Sequence, residues 1–283
     1  MACDIARLDS RDAELLRFGE NAIYRLSRHP IVVRIARSAT FLPDVQKELN
    51  VAKWLASVDL PAVRPAEVAR QPLVVNGQVV SFWELIPESG ESATVVDLAR
   101  LLRRLHGLPP PDWFTLPALE PFRRIDHRLE HARGISTGDQ RFLRDLYARL
   151  RERFETVSFV LPTSVIHGDA QTSNLIRHID GSVRLSDLDP CMVGPPEWDL
   201  TLTALYYGRL QWHSEEEYRA FADTYGFDVL RWPGFEVLAD IRELRMVTWL
   251  MQNIEETPAI AAEVRRRLVT LRDGIVPRGW NPY

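Results

Sequence analysis

The chain has 283 residues, 46% hydrophobic and 26% charged, as is typical of a water-soluble globular protein with a large core. Its formal net charge of −4 gives no general reason to expect nucleic acid as a partner, and no apolar run reaches the length of a membrane-spanning helix. Two cysteines are too few for a disulfide framework, and the first residues lack the apolar core of a signal peptide, so we expect a cytoplasmic protein.

Residues 17–86 carry mainly strand signals, with one helix among them. The run at residues 31–35, IVVRI, is rich in β-branched side chains, which favour strands. Apolar residues recur at the spacing of a helix face over residues 45–55. Two later apolar runs flank Asn76-Gly77, a strong signal for a two-residue hairpin. These patterns predict a small, strand-rich region.

From about residue 92 the pattern becomes mainly helical. Thr94 and Asp97 form a predicted capping pair in front of an apolar run with helical spacing. Further helices are predicted near residues 120–133, 139–156, 197–210, 214–225, 236–254 and 258–273.

Polar residues with the chemistry of phosphoryl transfer are concentrated in two short segments. These are HGDAQTSN at residues 167–174 and SDLD at residues 186–189. Between them, Asp180-Gly181 suits a two-residue type I′ turn, with apolar residues leading into it and out of it. We therefore predict a hairpin whose open end brings the two polar segments together.

Asn174 and Asp187 lie at equal distances from this turn, so a closed hairpin places them side by side. Both side chains offer oxygen ligands, which suit Mg²⁺ bound with nucleotide phosphates. Asp169, on the loop before the hairpin, is positioned to accept the proton of an attacking hydroxyl.

This ordered set resembles the catalytic and metal-binding segments of the aminoglycoside phosphotransferase and choline kinase superfamily, a branch of the protein-kinase-like fold. The resemblance implies that Asp169 is the catalytic base and that Asn174 and Asp187 hold magnesium. His167 and Gly168 would shape the loop. The alternative is an ordinary polar loop followed by a surface hairpin.

The resemblance, which covers roughly residues 17–205, also implies an α+β, two-lobed protein-kinase-like fold. We expect a small antiparallel-sheet N-lobe over residues 1–87, which binds the nucleotide. A larger, mainly helical C-lobe over residues 88–283 would carry catalysis and acceptor binding. The change of pattern at residues 86–90 marks the expected hinge.

Residues 18–24 look like the family's first hairpin, which covers the nucleotide and here includes Asn21. Arg34 lies on a strand where kinase-like proteins place a phosphate-binding lysine, and Glu48 on the next helix would pair with it. An ordinary turn, a surface arginine and a solvated glutamate are the alternatives.

Residues 82–86 resemble the linker between the lobes, whose backbone groups at Glu84 and Ile86 would bind the purine edge. Backbone recognition does not distinguish ATP from GTP. Trp83 in this segment is expected to pack in the core more readily than to stack on a base.

Two further aspartates follow the metal-binding segment. Asp189 lies two residues after Asp187, where it would assist metal binding or serve the structure of the loop. Asp199 matches the family segment that opens a helix, and is expected to brace the catalytic loop.

Two other motifs compete with this interpretation. GISTG at residues 134–138 matches a hydrolase nucleophile elbow, but the preceding segment has a helical pattern, so a helix stop followed by a helix cap is preferred. HRLEH at residues 127–131 matches a zinc-peptidase pattern, but no third ligand is evident, and a solvated charged helix is preferred.

We therefore expect a phosphotransferase that moves the γ-phosphoryl group of ATP or GTP to the hydroxyl of a small molecule, with Mg²⁺. Glutamates at residues 215–217 and 255–256 would attract an aminoglycoside or another amino-bearing antibiotic, unless they form only solvated surfaces. A metabolic kinase for choline, homoserine or a sugar is the second hypothesis, and a nucleotide-binding protein with little catalysis is the third. We expect a monomer or homodimer with no nucleic-acid or membrane partner.

Overall fold

The structure is a computed structural model that describes residues 1–19 and 21–283. Glu20, which falls within the predicted first hairpin, lies outside the described residues. Contacts divide the chain into two compact units. The first unit comprises Met1–Pro117 and Gln171–Met192, and the second comprises Ala118–Ala170 and Val193–Tyr283.

Strands predominate before residue 92 and helices after it, as predicted, although four short strands lie within residues 164–194. The strands are β1 (Glu14–Phe18), β2 (Asn21–Arg25), β3 (Ile31–Ala36), β4 (Leu73–Val75), β5 (Gln78–Glu84), β6 (Ser164–Ile166), β7 (Leu175–Arg177), β8 (Val183–Leu185) and β9 (Met192–Gly194). The helices are α1 (Ala2–Ile5), α2 (Leu42–Ser57), α3 (Val95–His106), α4 (Ile125–Glu130), α5 (Thr137–Glu155), α6 (Glu197–Gly208), α7 (Glu215–Tyr225), α8 (Phe235–Met251) and α9 (Pro258–Asp273). The predicted α+β class is confirmed.

An antiparallel sheet in the order β1-β2-β3-β5-β4 forms the first unit's framework. On one face of the sheet, Val33, Val80 and Phe82 join a hydrophobic core, and β5 is buried on both faces over residues 79–83. The α2 helix starts with Pro43 in its first turn and buries Leu49 and Leu55 completely. The predicted capping box of Thr94 and Asp97 is confirmed at the start of α3.

The hairpin predicted at Asn76-Gly77 is confirmed. Both residues have positive φ values, 50° and 75°, as a type I′ turn requires. Val75 lies directly opposite Gln78, so the loop has two residues.

The turn between β7 and β8 differs from the predicted type I′ turn, which is therefore wrong. Only Gly181 has a positive φ, 85°, whereas Asp180 does not. The carbonyl of His178 accepts from the Gly181 N–H at 2.9 Å, and the N–H of His178 donates to the Ser182 carbonyl at 2.8 Å. This is a three-residue loop, a turn followed by a left-handed glycine, because that glycine supplies the bulge such loops need.

The hairpin packs within the first unit. The Val63 N–H donates to the Leu185 carbonyl at 2.8 Å, and the Ile179 N–H donates to the Pro87 carbonyl at 2.8 Å. Residue 87 is consequently not a boundary between the contact units. The predicted lobes were defined by their roles: nucleotide binding for residues 1–87, and catalysis and acceptor binding for residues 88–283. That division stays a prediction.

Helix α8 is the centre of the second unit, where it packs against α4, α5, α6 and α9. It is buried on most sides, and Leu238, Ile241 and Leu244 are fully inaccessible. The α4 helix is shorter than the predicted segment of residues 120–133. In the described part of the chain, no helix combines the length and apolar character needed to span a membrane.

Candidate active site

The loop after β6 carries the predicted catalytic segment and is held through its backbone. The N–H groups of His167 and Gly168 donate to the two carboxylate oxygens of Asp199, at 2.6 and 2.8 Å. Asp199 is fully buried in the first turn of α6. Gly168 has a φ of 86°, a conformation that side-chain-bearing residues rarely adopt. The predicted bracing role of Asp199 is confirmed by these contacts.

The carbonyl side of the same loop is held by a tryptophan and an arginine. The Gly168 carbonyl accepts from Trp198 Nε1 at 3.1 Å and from Arg242 Nη1 at 3.0 Å. Arg242 Nη2 also donates to the Trp198 carbonyl at 2.9 Å, and its guanidinium lies 3.9 Å from the Trp198 ring centroid. Side chains therefore bind both the backbone N–H groups and a backbone carbonyl of this loop.

Asp169 follows these two braced residues and points its carboxylate toward a cation. Its side chain is 37% exposed, and Oδ1 lies 4.0 Å from Nη1 of Arg242, which is only 3% exposed. Burial and the nearby Arg245 lower the pKa of Arg242 to about 10, so this guanidinium is charged at neutral pH. Burial raises the pKa of Tyr206, and the negative charge of Asp169 raises it further. An accessible carboxylate on a fixed loop is suited to accept a proton from a hydroxyl.

Asn174 lies at the open end of the hairpin, one residue from the predicted register. Its backbone carbonyl accepts from both the N–H and the hydroxyl of Ser186, each at 2.9 Å. Leu175 pairs with Leu185, so Ser186 lies opposite Asn174 and Asp187 comes next. The three-residue loop causes this offset. The structure still brings Asn174 and Asp187 to the same end of the hairpin.

Asp187 has a φ of 53°, in the left-handed region, and is exposed. Aspartate tolerates this region better than most residues, and such strain is concentrated at functional sites. Asp189, which follows, accepts through its backbone carbonyl from Lys47 Nζ, and its Oδ1 lies 4.0 Å from the same atom. Lys47 was not singled out from the sequence. Its contact with Asp189 favours the structural role that was one of two alternatives for this residue.

Arg34 on β3 forms the predicted ion pair with Glu48 on α2, and that pairing is confirmed. Arg34 Nη1 lies 2.5 Å from Glu48 Oε1, and the glutamate side chain is 3% exposed. With its amide oxygen turned toward Arg34, Asn21 accepts from Nη2 and Nε at 2.9 and 3.1 Å. Side chains from two elements, β2 and α2, thus hold the guanidinium of Arg34 in place.

Charge couples this cluster to the aspartates of the hairpin. Burial raises the pKa of Glu48 to about 7; Asp189 and Asp187 raise it as well, while Arg34 lowers it. Burial lowers the pKa of Arg34, but Glu48 and the same two aspartates outweigh this effect and raise it above its ordinary value. Arg34, Glu48 and both aspartates are therefore close enough to interact.

The donor set at the hairpin fits a hard divalent cation. Asn174 and Asp187 offer an amide oxygen and a carboxylate, and the negative potential of Asp187 extends to Glu48. Across the described ranges, no group of three or more His, Cys, Asp and Glu side chains is arranged to hold a metal. A cation held by one or two protein ligands and by nucleotide phosphates, as Mg²⁺ commonly is, agrees with this composition.

In the linker segment, residues 82–86, the backbone groups rather than the side chains are the candidates for binding a ligand. The N–H groups of Glu84 and Leu85 donate to the carbonyls of Arg64 and Pro30, each at 2.9 Å, whereas the N–H of Ile86 donates to no described residue. Trp83 is buried and donates from Nε1 to Ser81 Oγ at 2.9 Å. Its predicted packing in the core is confirmed.

The two competing motifs have structural explanations. Ser136 is the N-cap of α5, where its hydroxyl accepts from the Asp139 N–H at 3.0 Å, and helix α4 rather than a strand precedes it. The predicted cap is confirmed, but the glycine helix stop is not, because α4 ends at Glu130 and Gly134 lies beyond its C-cap, His131. His127 and His131 stack with ring centroids 4.2 Å apart, and His131 Nδ1 lies 2.8 Å from the His127 carbonyl.

Sequence reasoning missed the arginines of α8 that lie beside Asp169. Arg242 and Arg245 occur in a helix that otherwise buries apolar side chains on most of its surface. Arginine is seldom fully buried unless it has fixed partners, so a buried arginine in an apolar helix is a usable signal. The sequence contains that signal, but not the identity of the partner.

Solved structures with similar folds support the same architecture. Amicoumacin kinase hAmiN in complex with AMP-PNP, Ca²⁺ and Ami is 14% identical, with a TM-score of 0.74, and the match covers 96% of this chain and 91% of that chain. Choline kinase LicA from Streptococcus pneumoniae is 15% identical, with a TM-score of 0.67 and 95% of each chain covered. An aminoglycoside phosphotransferase from Streptomyces rimosus is 21% identical, with a TM-score of 0.59, covering 83% of this chain and 93% of that chain. At these identities the likeness establishes the fold, and the predicted kinase-like fold is confirmed.

No curated protein matches the sequence significantly. A family model described as the phosphotransferase enzyme family matches residues 17–241. This range contains the sheet, the linker, the braced loop and the hairpin described above. The chain therefore belongs to the phosphotransferase enzyme family.

Proposed function

We propose that this protein transfers the γ-phosphoryl group of a nucleoside triphosphate to a hydroxyl group of a small molecule. One observation carries the proposal: Asp169 presents an accessible carboxylate on a loop whose backbone is fixed by Asp199, Trp198 and Arg242. Phosphoryl transfer requires mainly positioning and charge neutralisation, which such a rigid site supplies.

The residues of the first unit are proposed to bind the nucleotide. Arg34, oriented by Glu48 and Asn21, would bind phosphate oxygens, and the backbone at Glu84 and Ile86 would bind the purine edge. Asn174 and Asp187 would hold a divalent cation. Bound there, the cation would neutralise negative charge on the phosphates. The backbone character of the linker leaves ATP and GTP as equal candidates.

Asp169 is proposed to act on the acceptor. The acceptor oxygen would form a bond to the γ-phosphorus while the bond from that phosphorus to the bridging oxygen breaks, so the nucleoside diphosphate leaves. The hydroxyl proton would pass to the Asp169 carboxylate. Asp169 then releases this proton to solvent, so that the phosphorylated acceptor, the diphosphate and the proton account for all atoms of the reactants.

The acceptor is the open part of the proposal. Similar structures include kinases for antibiotics and for the amino alcohols choline and aminopropanol, which supports a small-molecule acceptor. The argument from acidic helices to an aminoglycoside gains no support, because Glu217 caps α7 and Glu215 pairs with Arg219. The aminoglycoside acceptor stays a prediction, as do the cytoplasmic location and the monomeric or dimeric state.

The direct test is Mg²⁺-dependent release of ADP or GDP in the presence of an acceptor panel. The panel should contain aminoglycosides, choline, homoserine and sugars, with the Asp169→Asn variant as the control. Stimulation by one acceptor class that disappears in the variant is the expected result. Tight binding of the magnesium nucleotide without release by any acceptor would instead favour a binding protein with little catalysis.

A further inference from the structure

One face of α8 places two arginines next to the proposed base. Arg242 and Arg245 are three positions apart and therefore lie on the same side of the helix. Their guanidinium carbons lie 3.9 and 5.8 Å from the centroid of one ring, that of Trp198. Arg242 Nη1 lies 4.0 Å from Oδ1 of Asp169, and the charge of Asp169 also acts on Arg245.

The two arginines have different partners. Arg242 uses its Nη atoms to hold the catalytic loop, as described above. Arg245 donates from Nη1 to the Pro121 carbonyl at 3.0 Å, and among residues 1–19 and 21–283 no carboxylate lies within 4.0 Å of its guanidinium. The residue as a whole is partly exposed.

Charges of both signs act on Arg245. Burial lowers its pKa; Asp169 raises it, while Arg124 and Arg123 lower it further. The carboxylates with the largest effect on the two α8 arginines are Asp169 and Asp199, and Asp199 is already bound by two backbone N–H groups. A partly buried cation that has no carboxylate within salt-bridge distance is costly unless an anion accompanies it.

We propose that the acceptor carries an anionic group, a carboxylate or a phosphate ester, in addition to its hydroxyl, and that Arg245 binds this group. This inference rests on the proposed function and names the substrate class of the same site. A guanidinium offers paired donors that match the oxygens of either anion. Acceptors with several positive charges would be repelled by the same arginines.

The test compares acceptors that differ only in the anionic group. Suitable pairs are glycerate with glyceramide, serine with serinamide, and glycerol 3-phosphate with glycerol, while kanamycin and choline represent cationic acceptors. We expect magnesium-nucleotide turnover with an anionic member at a kcat/KM at least about tenfold above its uncharged partner. The first two pairs report on a carboxylate and the third on a phosphate.

Variants of Arg245 identify the residue responsible. Arg245→Gln should raise KM for the anionic acceptor by about 10- to 100-fold with a smaller change in kcat, because the lost contact is equally present before and during the reaction. Arg245→Glu should reverse the preference toward amino-bearing acceptors. Arg219→Gln, an exposed arginine paired with Glu215 on α7, is the matched control and should behave as the unmodified protein.

A binding measurement separates failure of this inference from failure of the proposed function. Glycerate and inorganic phosphate are titrated into the protein with Mg²⁺ and AMP-PNP, and tryptophan fluorescence is followed because Trp198 lies beside Arg245. Saturable binding that weakens in Arg245→Gln supports the inference even without turnover. Equal affinity in Arg245→Gln, or preferred turnover of kanamycin or choline, overturns it while leaving phosphoryl transfer intact.

Discussion

The two units hold the residues of the candidate site by different means. In the first unit, side chains hold side chains: Arg34 is fixed by Glu48 and Asn21. In the second unit, side chains hold backbone: Asp199 and Arg242 bind the N–H and carbonyl groups of the loop. The first arrangement positions a charge, and the second positions a segment of chain.

This difference determines what a substitution can reveal. Replacing a member of the Arg34 cluster changes the charge of the site and the support of its neighbours together. Replacing the Asp169 side chain removes none of the backbone bonds that fix its loop. Effects on chemistry can therefore be separated from effects on folding more cleanly in the second unit.

The largest effect is expected from Asp169→Asn. This change keeps the size of the side chain but removes its ability to take a proton, so kcat should fall by about 10²- to 10⁴-fold. Nucleotide affinity measured by calorimetry should be unchanged. Asp223→Asn, at an exposed position on α7, is the control for loss of one charge. Near-normal turnover in Asp169→Asn would remove this residue as the base.

The next effect is expected from Asp187→Asn. Asparagine also tolerates the left-handed backbone at this position, so the change isolates the charge. Affinity for the magnesium nucleotide should fall by about 10- to 100-fold, the loss of one charge-assisted contact. When EDTA removes the metal, the affinity for the nucleotide should be the same in the variant and in the unmodified protein. If the variant loses the same affinity with Mg²⁺ and with EDTA, Asp187 acts on something other than the metal.

A smaller effect is expected in the Arg34 cluster, and it tests whether its members act together. Arg34→Ala should raise the KM for the nucleotide by about tenfold, and Glu48→Gln by less, because Asn21 still holds the guanidinium. In the double variant, Glu48→Gln should add little to the rise in KM that Arg34→Ala causes. Arg25→Ala, an exposed arginine on β2, serves as the control. Additive losses would show that Glu48 does not act through Arg34.

The smallest effect is on stability and concerns Asp97, which joins α3 to the hairpin. Its carboxylate accepts from the Thr94 N–H at 2.9 Å and from Arg177 Nη2 at 2.6 Å. Burial raises its pKa, but these contacts outweigh burial and bring the pKa below its ordinary value. Stabilisation is thus present above the unfolded pKa and is lost as the pH falls through the folded one.

Asp97→Asn should accordingly lower the free energy of unfolding by about 1 kcal/mol at neutral pH, as expected for loss of a helix cap. In urea titrations that difference should shrink as the pH falls below about 4. Asp112→Asn, at an exposed loop position, provides the comparison. A difference that grew on acidification would contradict this sign.

The sequence predicted most of the fold because its signals are local. The β-branched run of β3, the periodicity of α2 and the capping pair Thr94 and Asp97 each act over a few residues. The family motifs added the site, including the pairing of Arg34 with Glu48. Those motifs fix residue identities at short spacings, which is information a single sequence contains.

The remaining features depend on contacts between distant residues. Asn76-Gly77 and Asp180-Gly181 look equally suited to a type I′ turn, yet only the first forms one. The turn type at Asp180-Gly181 depends on the strand pairing, in which the buried Leu175 and Leu185 face each other. Likewise, the arginines of α8 meet the catalytic loop only after folding, so their role was not visible beforehand.

The turn at residues 179–181 also has a practical consequence for protein engineering. Exposed hairpin tips are usual places for inserting tags or exchanging loops, because such changes rarely affect the core. Here a graft that favours a two-residue turn at Asp180-Gly181 would slide one strand by a position and turn Leu185 away from the core. The same slip would move Ser186 away from Asn174. This surface tip is therefore a poor insertion site, although it lies at the opposite end of the hairpin from Asp187.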